Sequence, residues 1–329
     1  MILLQDDQID FTLWSEFLNK NKHASPFQSP EYYRLFKEVE GFAANVFAVE
    51  SEGNLKALVL VSIQKEPGLK SAFSKRGIIY GGPILTDQES AGVLFNEISQ
   101  FYRNKLIYLE TRNFSNYSDY KEVFASNKWE YQTWLNYQLI CDDATAVKKR
   151  MSSSRYRQVK KALKNGATFK VSNSKDDLRC FYAILIDLYS KKIHKPLLPL
   201  TFFEELMNRE LAKFLFVYKD QKVIGGIVCP IQEGKKIFEF YVCGLDSDYG
   251  DLYPSVLATY AAIDYGLENG IGIFDFMGAG SPEESYGVRE FKARFGGQEV
   301  EHGRFIIILN QTMFKLGKAG LKVLSKIKK

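Results

Sequence analysis

At 329 residues the chain is long enough for two domains, each able to bury its own core. Its 46% hydrophobic and 25% charged residues exclude the disordered and fibrous classes, and a net charge of +5 does not by itself argue for a nucleic-acid partner. The four cysteines (Cys141, Cys180, Cys229, Cys243) form no CxxC pair and no metal-ligand spacing. The N-terminus carries acids where a signal peptide needs lysines, and no apolar run approaches the roughly 18 residues of a spanning helix. These features predict a cytoplasmic protein without a disulfide framework or a metal.

In chain order, the segment 26–33 (PFQSPEYY) leads to alternating apolar runs at 45–50 (NVFAVE) and 56–63 (KALVLVSI), which read as a hairpin. A strand at 77–81 (GIIYG), a helix at 91–103, a strand at 106–111 (LIYLET) and a closing aromatic-rich strand around 131–140 follow. A basic helix at 144–165 and a second helix at 175–192 come next. The pattern then repeats. There is a hairpin at 213–219 (KFLFVYK) and 223–231 (VIGGIVCPI), a strand at 236–244 (KIFEFYVCG), a helix at 254–269, a strand at 271–277 (IGIFDFM) and a closing strand at 304–309. The agreement in order and spacing predicts a mixed α/β protein of two diverged copies of one unit. The boundary falls near Asp142–Asp143, giving domains 1–142 and 143–329, the second including the basic helices 144–192.

The chemistry concentrates in 274–297, FDFMGAGSPEESYGVREFKARFGG. An apolar strand ends in Asp275 and enters a loop with Gly278 and Gly280; Tyr286, Lys292 and the pair Gly296–Gly297 follow. Glycine permits close backbone approach and lysine supplies a charge for phosphate or carboxylate. Asp275 reads either as a turn cap or as an acid acting with Lys292, and Lys292 either as a catalytic cation or as a solvated helix residue between Glu290 and Arg294. The first copy has no counterpart of this loop, so catalysis is expected in the second.

The FDFMG…YGV..FK..FGG string resembles the C-terminal signature of the Fem-type peptidyltransferases, which add amino acids to peptidoglycan precursors. The segment 26–33 with Gln28 is similar to that family's entry motif. The helix from Arg155 and Arg157 to Gly166 is similar to its basic helix, and Tyr241 with Gly244 stands where the family has a tyrosine on the precursor's phosphates. The resemblance spans nearly the whole chain and implies two tandem GNAT-like units. It implies Lys292 as a catalytic residue that stabilises charge at the reacting ester or the donor; the attacking amine must lose a proton, and Asp275 is the catalytic acid read as its general base or as the residue that orients Lys292. It also implies substrate contacts from Tyr241, Gln28, Tyr286, Arg155 and Arg157. The family's phosphate-binding arginine is not matched: Lys191 and Lys195 stand in that stretch, point charges in place of a bidentate fork.

The activity implied is attack of an amine of a peptidoglycan or other cell-envelope precursor, lipid-linked or nucleotide-linked, on aminoacyl-tRNA, with no bound cofactor. An acyl-CoA-dependent N-acyltransferase acting on an amino sugar of a surface polysaccharide is the second reading. Against it, the loop 246–254 (DSDYGDLYP) has one glycine and three acids where a pyrophosphate loop needs glycines. A non-catalytic envelope-assembly or nucleic-acid-binding module is the third. Nine Lys or Arg between Lys148 and Lys170, with no acid from 144 to 173, read equally as a tRNA-facing stripe or a solvated helix face. His194 is a lone loop histidine. The segment 315–329, with six lysines and no acid, reads as a peripheral contact with an anionic membrane or as a frayed tail.

Overall fold

The computed structural model describes residues 1–64, 75–193, 196–284 and 287–317. It divides the chain between a first unit, Met1–Thr133 with the segment from His302 onward, and a second, Trp134–Glu301. Both are mixed α/β. The division falls before Asp142, and the described residues 302–317 belong with the first unit.

In the first unit, β1 (Ile2–Gln5) precedes the helices α1 (Phe11–Lys20) and α2 (Pro30–Glu38). The predicted hairpin is β2 (Phe42–Ser51) and β3 (Asn54–Gln64). It is followed by β4 (Arg76–Gly81), the short β5 (Ile84–Leu85), α3 (Gln88–Tyr102), β6 (Tyr108–Asn113), α4 (Lys121–Ser126) and β7 (Glu130–Gln132). The sheet runs β1-β2-β3-β4-β6, then the chain's last strand Arg304–Ile308, then β7. Helix α3 starts where the Asp87 carboxylate accepts from Ser90 N at 2.7 Å. Its apolar stripe (Ala91, Leu94, Phe95, Ile98, Tyr102) packs on Val59, Val61, Ile79 and Leu109.

Three segments predicted as single elements are broken. The aromatic-rich stretch 131–140 divides into β7 and β8 (Leu135–Ile140), and β8 joins the second unit. The closing strands are thus exchanged: Arg304–Ile308 pairs β6 and β7, while β8 pairs strands of the second unit. Phe305 and Ile307 enter the first core and Leu135 and Leu139 the second, a choice of sheet that chain order does not encode. The basic helix is two helices, α5 (Ala144–Arg150) and α6 (Ser153–Lys164), the second capped by Ser152.

The second unit continues with β9 (Thr168–Val171), α7 (Lys175–Leu188), which runs into a π turn at Tyr189–Ile193, and α8 (Leu200–Asn208). The repeat then follows as β10 (Lys213–Lys219), β11 (Lys222–Cys229), β12 (Ile231–Gln232), β13 (Lys236–Phe238), β14 (Tyr241–Gly244), α9 (Pro254–Glu268) and β15 (Ile273–Asp275). It ends in α10 (Gly287–Ala293) and β16 (Gln298–Glu301), which makes Arg304–Ile308 β17. The predicted strand 236–244 is the third broken element. Its first part, β13, runs parallel to β15, and its second part, β14, runs antiparallel to β11 in a different sheet. The change of partner is sharp: Glu239 N donates to Asp275 O at 2.9 Å and Phe240 N to Val228 O at 3.0 Å. Among the described residues, 240–244 and 276–280 share no backbone hydrogen bond, so the two chains part at Glu239.

In the first unit, the expected substrate residue Gln28 is fully buried. Its Oε1 accepts from Ser25 N and Ser25 Oγ, both at 2.7 Å, and its Nε2 donates to Gly82 O. It thereby anchors the Gly81–Gly82 turn, where φ values of +83° and +81° require glycine. We predict that Gln28→Ala, which orphans these buried groups, lowers unfolding stability by about 1–3 kcal/mol in urea melts.

Candidate active site

The point where β13 and β14 change sheets carries a buried ion pair. Glu239 is 4% exposed and Lys292, from α10, is 8% exposed; Lys292 Nζ lies 3.1 Å from Glu239 Oε1. The same ammonium donates to Phe276 O at 2.5 Å and Gly278 O at 2.9 Å, so two carbonyls and one carboxylate charge hold it. Glu239 Oε2 accepts from Thr259 Oγ1 on α9 at 3.2 Å. Burial pushes the Glu239 carboxyl above the usual carboxylate range, and Lys292 offsets this only in part.

Asp275 is fully buried at the end of β15 and accepts three hydrogen bonds, each of 2.8 Å, from Asn136 Nδ2, Gln138 Nε2 and Met277 N. Two of those donors are the inward amides of β8, so this carboxylate ties the loop's first residue to the neighbouring strand. The loop is held at several further points. Gly278 N donates to Asn136 Oδ1 at 2.7 Å, Leu135 N to Gly280 O at 2.9 Å, and Arg289 Nε to Ala279 O at 3.1 Å. Met277, Gly278 and Gly280 all have positive φ, and a Cβ on Gly278 (φ +117°) would meet Trp134 Nε1 at 3.1 Å. Gly278, expected to permit close backbone approach, does so here. Gly296 (φ +86°) closes the segment against Arg150, whose carbonyl oxygen would lie 2.3 Å from an added Cβ.

The other candidates are placed apart from this cluster or beside it. Tyr241 begins β14, two residues after Glu239, half-buried against Phe203 and Phe240, with Tyr189 of the π turn 6.0 Å away between ring centroids. Lys191 is exposed on that turn and pairs with Asp187 at 2.5 Å. Arg155 is buried beneath α10, stacked on Phe291 and Phe295 and donating to Phe291 O at 3.1 Å. Burial pushes its pKa down to about 10. It therefore leaves the basic stripe, whose exposed members include Lys148, Lys149, Arg157, Lys160 and Lys164. Tyr286, Lys195 and His194 lie outside the described residues, as does 318–329.

Glu239, Arg289, Asn136 and Gln138 are the residues the sequence reading missed. The signal for Glu239 was a single acid inside the apolar strand KIFEFYVCG. For Asn136 and Gln138 it was a pair of amides at strand period in LNYQLI.

The loop before α9 has its own electrostatic character. Tyr253 sits in the left-handed region, and Pro254 and Ser255 press on Gly225 and Gly244. Asp246 Oδ1 accepts from Ser255 N at 3.1 Å, placing a carboxylate on the first turn of α9 where a helix N-terminus otherwise draws an anionic ligand. Among the described residues, no helix is long and apolar enough to cross a membrane.

Residues 149–292 match the acetyltransferase (GNAT) domain family. No curated protein matches the chain. Among solved structures, FemX superposes with a TM-score of 0.72 at 14% identity, over 96% of this chain and 99% of that one. The C-terminal domain of a protein assigned as a lysylphosphatidylglycerol synthetase from Agrobacterium fabrum gives 0.60 at 12% identity, over 94% and 96%. A tandem GNAT protein from the clavulanic acid biosynthesis pathway gives 0.60 at 8% identity, over 94% and 99%. At such identities the likeness is one of fold. The chain has a tandem GNAT fold of mixed α/β units. It is the fold of FemX, as the sequence resemblance implied.

Asp275→Ala would leave two buried side-chain amides and a backbone N–H without their acceptor. The expected loss of stability is about 2 kcal/mol or more, read from the shift of a chemical denaturation midpoint at unchanged m-value.

Proposed function

We propose that the chain is an acyltransferase whose reaction centre is at Glu239, where the chain leaves β15 and passes from β13 into β14, with Lys292 as its fixed cation. The observation that carries this is a buried ammonium held by two carbonyls and an ion pair at the parting of two central strands, in the part of the chain that matches the GNAT acetyltransferase domain. A preorganised charge in a water-poor site stabilises the oxyanion that develops when an amine attacks an acyl carbonyl. Held by two carbonyls and paired with Glu239, Lys292 acts through its field and through the loop it holds. Glu239 and Asp275 are positioning residues in this reading: the first fixes Lys292, the second fixes the loop against β8.

The finer reading is transfer from aminoacyl-tRNA to an amine of a peptidoglycan or other cell-envelope precursor. In that step a C–N bond forms, the ester C–O bond breaks, and the proton lost by nitrogen passes to the departing oxygen, which leaves as a hydroxyl. Two observations support it: the FemX-like fold over nearly the full chain, and the Asp246 carboxylate on α9, which opposes a coenzyme pyrophosphate there. Exposed Lys148, Lys149, Arg157, Lys160 and Lys164 suit a tRNA backbone. An acyl-CoA donor is the second reading, favoured by the GNAT acetyltransferase match. Purified protein is incubated with charged tRNA, acetyl-CoA and a lipid-linked precursor, and mass gain on the acceptor is measured. Transfer from acetyl-CoA with none from charged tRNA overturns the finer reading; transfer from neither overturns both.

Lys292→Met is expected to lower kcat by at least about tenfold. Protonating Glu239 releases its hold on Lys292. Because its carboxyl lies above the usual range, kcat should fall on the acid side at a pH higher than an ordinary carboxylate would give. Glu239→Gln keeps an oxygen acceptor but cannot titrate, so its pH profile should lose that limb. An unchanged limb in the variant sinks the assignment.

A further inference from the structure

We propose that Arg112 and Arg304, held by Glu110 on the face of the first unit's sheet opposite α3, form a binding site for a phosphate-bearing ligand. The site goes beyond the transfer reading and belongs to the other unit. Arg112 lies on β6 and Arg304 on β17, and these strands pair directly. The face opposite them is the one that packs on α3 through Ile79, Leu109, Phe305 and Ile307. On the face in question, Glu110 Oε1 accepts from Arg112 Nε at 3.1 Å and from Arg304 Nη1 at 2.7 Å, so two guanidinium groups converge on one carboxylate oxygen.

The arrangement orients Arg112 in particular. Its Nε faces Glu110, its Nη1 lies 3.4 Å from Tyr80 Oη, and its centre lies 5.3 Å from the Tyr80 ring, which pairs in register on β4. Its Nη2 makes no hydrogen bond among the described residues, and a third of the side chain (33%) is open to solvent. A planar guanidinium oriented through Nε and Nη1, with Nη2 left to donate, suits a phosphate oxygen beside the second arginine. The local charges agree with this. Burial, with Arg112 beside it, pushes Arg304 down to about 10, whereas for Glu110 the two arginines outweigh burial and hold the carboxyl low. The cluster therefore carries one ionised acid against two cations over the physiological range, and a bound dianion relieves that excess. Arg76, in register with Tyr108 on the same face, adds a third cation near by.

A purely structural role would move stability alone, so binding is what tests the proposal. Inorganic pyrophosphate is titrated into the full-length protein by calorimetry, with thermal melts run alongside. Binding is expected for the wild type, and Arg112→Lys should weaken it by about tenfold or more while the melting temperature stays close to the wild type, because lysine keeps the charge but loses the fork. If Arg112→Lys does not fold, Arg304→Lys takes its place with the same expectation. No binding by the wild type, or equal binding by a folded variant, overturns the proposal. A nucleoside diphosphate and vesicles of phosphatidylglycerol in phosphatidylcholine, titrated in parallel, distinguish the sources of phosphate. Sensitivity of either to the variant supports the site and names its source, and insensitivity of both overturns it. Acyl transfer does not enter these measurements, so a failure of the transfer reading leaves their outcome unaffected.

Discussion

An ammonium buried as deeply as Lys292 is stable only if every hydrogen finds an acceptor and a negative charge stands close. Each of those conditions shapes a separate part of the second unit. Supplying the Gly278 carbonyl requires a loop with consecutive positive φ values at Met277 and Gly278, which Asp275, Asn136 and Arg289 hold in place. Supplying Glu239 requires a strand residue whose side chain turns inward where the chain changes from β15 to β11. Supplying Lys292 itself requires α10 to lie close over the loop, and Arg155, sandwiched with Phe291 and Phe295, holds that helix from below. The strand break, the glycine loop and the short helix are consequences of one buried charge.

The two copies of the repeat part at the same place. In the first unit the parallel pair β4–β6 continues through six successive residue pairs, from Arg76 with Tyr108 to Gly81 with Asn113. In the second the corresponding pair, β13–β15, stops after three. A continuous parallel pair has no opening between its strands, so the first unit presents its polar residues on the face of the sheet, where Arg112, Glu110 and Arg304 gather. Where the pair stops, the polar residues Glu239 and Asp275 lie at its end. One scaffold thus places its polar groups in two ways, on a sheet face or buried at a strand end, according to how far two strands stay together.

Most of the element order was legible in the sequence because period-two and helical apolar spacing report burial directly. The FK..FGG string and its glycines were legible too, because positive φ and close approach leave few residue choices. What was not legible were features that depend on partners rather than patterns. A strand reading passes over Glu239, since KIFEFYVCG alternates well enough as one strand, and nothing in it marks a change of sheet. The exchange of β8 and β17 is invisible for the same reason. Arg155 is an instructive middle case. It looked like one more cation in a basic stripe, yet Arg155, Val159 and Ala162 fall at i, i+4 and i+7, and all three are buried. Helical spacing therefore marked it as inward, and the composition of its surroundings masked that signal.

The donor reading turns on a related point about where anions are already present. A helix N-terminus attracts a pyrophosphate because its first amides lack acceptors and its dipole is positive there. On α9 that role is filled from within, as the Asp246 carboxylate takes Ser255 N and Asp251 lies in the same loop, paired with Lys161 at 2.5 Å. A coenzyme phosphate arriving at this turn would meet two carboxylates and one engaged amide. A nucleic-acid donor makes no such demand: its phosphates are spread along a backbone and can be met by separate exposed cations, which α5 and α6 carry at Lys148, Lys149, Arg157, Lys160 and Lys164. The acids that weaken the coenzyme reading and the cations that favour the tRNA reading therefore both follow from the charge pattern around the second unit's helices.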